Sequence, residues 1–174
     1  MYNLDLINAL FATVSENLRG IDKIGIAFSG GIDSTLLAMI CKNMGIDTTL
    51  LTVGFPHSND IEFSKSISQK IKINHKILEI DKDDFAIVSK KIKKEISCNN
   101  PSHIENCIAF NYIAKLASKN GTPFVLTANG FDELFCGYNN FRYIFDKGSD
   151  TINATIESKI LKELELIDEI KQIA

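Results

Sequence analysis

The residues whose types and spacing carry the clearest chemistry are Ser29-Gly30-Gly31-Ile32-Asp33-Ser34. An apolar run, Ile24-Gly25-Ile26-Ala27-Phe28, precedes them, and a helical pattern, Thr35-Leu36-Leu37-Ala38-Met39-Ile40, follows. A strand, a glycine turn and a helix start therefore fall together. This order points backbone N–H groups and a helix N-terminus at one spot, an arrangement that holds phosphate. Two glycines let backbone approach an anion without a Cβ in the way. Ser29 and Ser34 add hydroxyls. Asp33 would repel a bare phosphate, so its presence suggests a Mg²⁺ ion between carboxylate and phosphates. The plain alternative is a glycine turn with Asp33 or Ser34 capping a helix.

A second cluster lies in Val125-Leu126-Thr127-Ala128-Asn129-Gly130-Phe131-Asp132-Glu133-Leu134-Phe135-Cys136-Gly137-Tyr138. Two adjacent acids follow a strand and a glycine turn. Asp132 and Glu133 could hold a second face of a Mg²⁺–phosphate group, with Asp33 and Asp132 as the metal ligands. Alternatively, they are first-turn acids stabilising a helix N-terminus.

The elements that must position these groups follow from periodicity. Leu6, Leu10, Val14 and Leu18 predict a first helix, ended by Gly20. A strand over 24–28 is followed by a helix from Asp33 to about Gly45. Thr48–Val53 is a β-rich run bounded by Gly54 and Pro56. Ser58-Asn59-Asp60 reads as the N-cap of a helix through Ile71. His75–Ile80 is a third strand, and Phe85, Val88, Ile92 and Ile96 mark a further helix. Ser102 is expected to cap a helix through Asn120, stopped by Gly121. Pro123–Thr127 is a fourth strand, and Ile152 to Ile170 repeat as a long amphipathic C-terminal helix. Strands alternating with helices predict an α/β fold, a three-layer α/β/α arrangement around a mostly parallel sheet. Ligands in such sheets lie at the carboxyl ends of strands, near the switch point. That edge would carry Ser29–Ser34, Thr52–Gly54 and Thr127–Asp132.

Composition limits the alternatives. The 174 residues suit one domain, expected to run over 1–174. Hydrophobic residues make up 45% and charged residues 24%, the globular range. A net charge of −3 gives no sign of a nucleic-acid partner. No 18-residue apolar run marks a membrane span, and the N-terminus lacks a signal-peptide pattern, so a cytoplasmic protein is expected. Cys41, Cys98, Cys107 and Cys136 form no C-x-x-C pair. Cys41 reads as core, while Cys98 and Cys107 leave room for sulfur chemistry. Lys90, Lys91, Lys93 and Lys94 read as a solvated helix face rather than an RNA or partner-binding edge.

The string S-G-G-x-D-S is neither a Walker loop nor a G-x-G-x-x-G turn. It resembles the PP-loop of ATP pyrophosphatases, which cleave ATP between the α- and β-phosphates and hold the departing pyrophosphate in that loop. Gly130, Asp132, Glu133, Leu134, Phe135, Gly137 and Tyr138 are similar to the second motif of the synthetase domain of asparagine synthetases. Thr52-Val53-Gly54 is similar to that family's second-strand end, where backbone reads adenine, and His75 sits where the family often has a histidine. The resemblance runs from about residue 20 to about residue 145.

It implies ATP and Mg²⁺ as cofactors. It also implies nucleotide binding by Ser29, Gly30, Gly31, Asp33, Ser34, Thr52, Val53, Thr127, Asn129 and Gly130, with Asp33, Asp132 and Glu133 catalytic. The expected reaction is adenylation of a small-molecule substrate, then attack by ammonia or another amine. Departures from the pattern are informative. Asn129 replaces an acid and cannot act as a base. Arg142 is displaced from the usual position after Gly-Tyr; Arg142 and Lys147 are candidates for a pyrophosphate cation. Tyr2 stands where a glutaminase nucleophile would be, so no glutaminase domain is expected. Ammonia would come from solution or from a glutaminase partner subunit, and a homodimer is a further possibility. Two rival readings remain: a PP-loop sulfur transferase taking sulfur through Cys107 or Cys98, and a non-catalytic ATP-binding module completed by a partner.

Overall fold

The computed structural model describes residues 2–96, 100–135 and 137. The chain divides into two compact units, Met1–Thr127 and Ala128–Ala174.

In the first unit, β1 (Lys23–Ala27), β2 (Asp47–Gly54), β3 (Asn74–Glu79) and β4 (Val125–Leu126) form one sheet in the order β3-β2-β1-β4. Every neighbouring pair is parallel. Helix α1 (Tyr2–Asn17) precedes β1, and the helices between the strands are α2 (Ile32–Asn43), α3 (Asn59–Ile71), α4 (Lys82–Glu95) and α5 (Pro101–Lys119). The expected parallel α/β fold with helices flanking the sheet is what forms.

Strand composition explains the layering. Successive strand residues point to opposite faces, and in a parallel sheet both faces are covered. Leu50 and Leu51 of β2 are both fully buried. Leu51 packs with Ile113, Leu116 and Ala117 of α5, joined by Val53, Leu78 and Val125. The other face takes α2 and α3, whose buried residues include Leu37, Ile40, Cys41, Ile61 and Ser64. A second cluster joins α4 to α5 through Val88, Ile92, Ile108 and Tyr112. Burial pushes the Cys41 thiol up to about 11, as expected of a core cysteine.

Local chemistry sets the helix starts, with two corrections. Asn100, not Ser102, caps α5: its side chain accepts from Ser102 N–H at 3.0 Å, with Pro101 at the first helical position. Proline's missing N–H and preset φ let the helix begin two residues earlier than Ser102 would place it. Ser58 does occupy the N-cap of α3, but its hydroxyl makes no capping bond. Instead it lies close behind Gly54. The C-terminal helix expected over Ile152–Ile170 lies outside the described residues.

In the second unit, the described part is α6 (Phe131–Phe135) and its approach. Gly130 adopts φ +103°, and Leu134 N–H donates to the Gly130 carbonyl at 2.9 Å. Phe131 and Phe135 stack as tilted rings 5.8 Å apart. Among the described residues, no helix is long and apolar enough to cross a membrane.

Candidate functional site

Strand order puts the Ser29–Ser34 loop at a special place. From β1 the chain winds outward through β2 to β3, then returns by α4 and α5 to add β4 on the other side of β1. The direction of winding reverses at β1. Open parallel sheets bind ligands at this switch point, beyond the carboxyl ends of the strands. The loop leaves β1 there.

Its geometry is self-consistent. Gly31 N–H donates to Ser29 Oγ at 3.2 Å. Ser34 Oγ donates to the Gly31 carbonyl at 3.3 Å and lies 3.2 Å from Ser29 Oγ. With the Ser34 proton committed to a carbonyl, Ser29 is the donor in the hydroxyl pair. Thr35, inside α2, donates its hydroxyl to the Gly30 carbonyl at 3.3 Å. These bonds lie at the long end of the range, so an incoming anion can replace them at low cost. Helix α2 begins at N-cap Gly31 with no side-chain cap, and Asp33 is in its first turn. First-turn N–H groups without a capping side chain are free to meet a ligand.

Gly30 is dictated by its surroundings. Its φ is +81°, and a Cβ there would lie 3.1 Å from Ser64 Cα and 3.2 Å from the Phe63 ring. The loop thus rests directly on α3, and Ser64, with no exposed surface, lets it do so. Sequence reasoning missed Phe63 and Ser64; their pairing with Gly30 is a contact between distant segments.

The other expected nucleotide residues fall as follows. Thr52 and Val53 lie near the carboxyl end of β2, beside β1. The Thr52 hydroxyl is not turned to a ligand: it donates to the Phe28 carbonyl at 2.6 Å and lies 2.8 Å from His75 Nε2. Thr127 ends the first unit, directly after β4. Asn129, Gly130, Asp132 and Glu133 belong to the second unit. There Asn129 is exposed, Asp132 is partly buried and Glu133 is buried. Gly137 N–H donates to the Asp132 carbonyl at 2.9 Å, and a side chain at Gly137 would collide with the Asp132 carboxylate. Cys107 is half-buried on α5, packed against the α4–α5 cluster. Cys98, Arg142 and Lys147 lie outside the described residues.

Among the described residues, no group of three or more metal-ligating side chains gathers. Mg²⁺ is commonly held by one or two carboxylates together with substrate phosphates and water. One aspartate in the first turn of an uncapped helix, beside two hydroxyls, is a donor set of that kind.

A parallel α/β sheet with a glycine–serine loop at its switch point, running into an uncapped helix N-terminus, is an arrangement suited to holding a nucleotide or phosphate. The asparagine synthase family profile matches residues 5–171. A Methanocaldococcus jannaschii protein designated a glutamine-hydrolysing asparagine synthetase is 27% identical over 160 residues, 91% of this chain and 29% of that one. The tRNA-specific 2-thiouridylase MnmA 2 of Fusobacterium nucleatum is 30% identical over 127 residues, 67% of this chain and 37% of that one. In structure, the chain is similar to the NH3-dependent NAD synthetase of Campylobacter jejuni, with a TM-score of 0.56 at 12% identity, covering 94% of this chain and 96% of that one. The chain belongs to the asparagine synthase family, within the PP-loop ATP pyrophosphatase superfamily. It spans less than two fifths of the length of either curated relative.

Proposed function

We propose that this chain is an ATP-dependent enzyme that adenylates a small-molecule substrate, releases pyrophosphate, and passes the activated group to ammonia or another amine. The observation that carries this reading is the Ser29–Ser34 loop at the switch point, closed on itself by long, replaceable hydrogen bonds. An oxygen of the substrate attacks the α-phosphorus of ATP; the α–β bridging bond breaks and its electrons go to pyrophosphate. Chain groups meet that growing charge. Loop and first-turn N–H groups donate to pyrophosphate oxygens, and the Ser29 and Ser34 hydroxyls turn outward to join them. Mg²⁺, held by Asp33 and by Asp132 of the second motif, would supply charge neutralisation on the phosphates. Glu133 completes the catalytic set. Backbone at Thr52 and Val53 and the segment Thr127, Asn129 and Gly130 take the rest of the nucleotide. Since Asn129 cannot accept a proton as an acid's conjugate base would, the incoming amine is deprotonated elsewhere. The amine comes from solution or from a partner subunit that supplies ammonia.

The test is ATP–pyrophosphate exchange, with AMP release as the second readout. Asp33→Ala should abolish both while the protein stays folded; near-normal exchange in that variant sinks the reading. A sulfur-transfer reading draws on the similarity to the thiouridylase. The packed position of Cys107 disfavours it, since a sulfur carrier needs an accessible thiolate. Full activity in Cys107→Ser and Cys98→Ser would reject that alternative.

A further inference from the structure

The residue that leads into the phosphate loop is held from three directions. Phe28 N–H donates to the Leu51 carbonyl at 2.9 Å. The Phe28 carbonyl accepts from Thr52 Oγ1 at 2.6 Å. The Phe28 ring meets the His75 imidazole edge-on, with centroids 5.7 Å apart and planes at 83°. Phe28 and Thr52 are 3% exposed, so none of these contacts competes with bulk water. Ser29, the first loop residue, follows at once.

Proton counting then fixes the state of His75. Thr52 has one hydroxyl proton and two neighbours, the Phe28 carbonyl and His75 Nε2 at 2.8 Å. A carbonyl only accepts, so the proton lies on the bond to Phe28. The Thr52 oxygen must accept in the other bond, so Nε2 carries the hydrogen. On the far side of the ring, Nδ1 is 3.0 Å from Ser68 Oγ of α3, whose proton has the Lys65 carbonyl at 2.9 Å as its other destination. Burial, and the Lys65 charge on α3, pull the His75 pKa down to about 4. The ring is therefore neutral at neutral pH and carries one hydrogen, so only one of the two hydroxyls keeps its carbonyl bond. The Thr52–Phe28 bond at 2.6 Å is shorter than the Ser68–Lys65 bond at 2.9 Å, so Thr52 keeps its bond, Nε2 carries the hydrogen, and Ser68 turns its proton to the bare Nδ1.

We propose that His75 is a positioning residue for the phosphate loop: as the Nε2–H tautomer it orients the Thr52 hydroxyl, which holds the Phe28 carbonyl and thereby sets the direction in which the backbone enters Ser29. The part that concerns pyrophosphate rests on the proposed function above; the hold on the loop backbone does not. A preorganised loop presents its N–H groups without reordering when charge develops. Loss of one neutral hydrogen bond in this chain should weaken anion binding roughly three- to tenfold.

The experiment uses the full chain with His75→Leu, His75→Gln, Thr52→Val and the His75→Leu/Thr52→Val double variant. The readouts are titration with magnesium pyrophosphate, ¹H–¹⁵N spectra of the Ser29–Ser34 amides, and long-range ¹⁵N spectra of the imidazole. The expected results are an Nε2–H tautomer in the wild type, the same loop amides shifted by His75→Leu and Thr52→Val, and a double variant no weaker than the worse single one. His75→Gln, whose amide N–H can still donate to Thr52, should recover most of the binding. An Nδ1–H tautomer, unmoved loop amides, fully additive losses, or a Gln variant as weak as the Leu variant would each overturn the proposal. If His75→Leu does not fold, the wild-type tautomer and the Thr52→Val amide shifts decide it. If the wild type ignores magnesium pyrophosphate, the pyrophosphate reading is what fails. The loop amides and the tautomer then still support or overturn the role of His75.

Discussion

Gly30→Ala separates a glycine needed for its backbone angle from one needed for close approach. At φ +81°, an L side chain carries left-handed strain of about 1–2 kcal/mol. Reduced unfolded-state entropy gives back roughly 0.4–1 kcal/mol of that. Gly20 offers the matched control: φ is +79° and nothing lies within 4 Å of its would-be Cβ. Gly20→Ala should therefore lose only about 0.5–1 kcal/mol. At Gly30 the new methyl also meets Ser64 Cα at 3.1 Å, a backbone atom of a packed helix that cannot rotate away. Overpacking of this kind costs roughly 1–3 kcal/mol, which brings the total to about 2–4 kcal/mol. For a chain of this size the extra 2 kcal/mol or so lowers the melting midpoint by about 4–8 °C relative to Gly20→Ala. Urea unfolding of both variants at one pH, read by circular dichroism with equal slopes, measures the difference. Equal losses at Gly20 and Gly30 would refute the claim that the loop is seated on α3. A Gly30→Ala protein that is destabilised yet binds magnesium pyrophosphate normally would detach that seating from ligand binding.

Three further outcomes follow from the geometry. Folded His75 has its pKa lowered from 6.5 to about 4, so between those values the unfolded chain binds more protons. Stability should then rise with pH across about 4 to 6.5, fall as pH drops through that window, and flatten in His75→Gln; the effect is at most about 3 kcal/mol, and an unchanged pH profile in the variant would contradict it. The Tyr112 hydroxyl is buried and no partner among the described residues meets full hydrogen-bond geometry, yet Asp84 lies close enough for a weak bond, and burial, that Asp84 interaction and the Asp81 charge push the hydroxyl up to about 12. Tyr112→Phe should be neutral or stabilising by about 1 kcal/mol in urea unfolding; a loss above that would reveal a stronger bond to the hydroxyl. Asn100→Ala and Asp81→Ala each remove an N-cap acceptor and should each cost about 1 kcal/mol, whereas Ser102→Ala should cost much less.

Much of the fold was legible because its signals are local. Four strands and the helices between them follow from apolar period and glycine stops, and each was found within a few residues of its place. The Ser29–Ser34 loop was legible as a structural unit for the same reason: its hydroxyls and glycine backbone bond to one another within six consecutive residues. Errors came where two local solutions compete. Ser102 and Asn100 both suit a cap, and Pro101 chose between them by starting the helix early. Ser58 stands at the N-cap as expected, but its hydroxyl makes no capping bond.

Sequence alone determined the chemistry on offer here, a serine–glycine–aspartate loop between a strand and a helix, because covalent neighbours already hold those groups together. It determined membership of the asparagine synthase family by the same kind of short, linear signal. Tertiary structure alone decided where that loop stands. Periodicity predicts strands but not their order, and the order β3-β2-β1-β4 is what puts β1 at the reversal point. Tertiary structure also decided what holds the loop. Gly30 lies against Ser64, and Phe28 is tied through Thr52 to His75, by contacts between segments far apart in the chain. Such contacts exist only once parallel strands bring β2 and β3 beside β1 and shut out the water that would otherwise take each hydrogen bond.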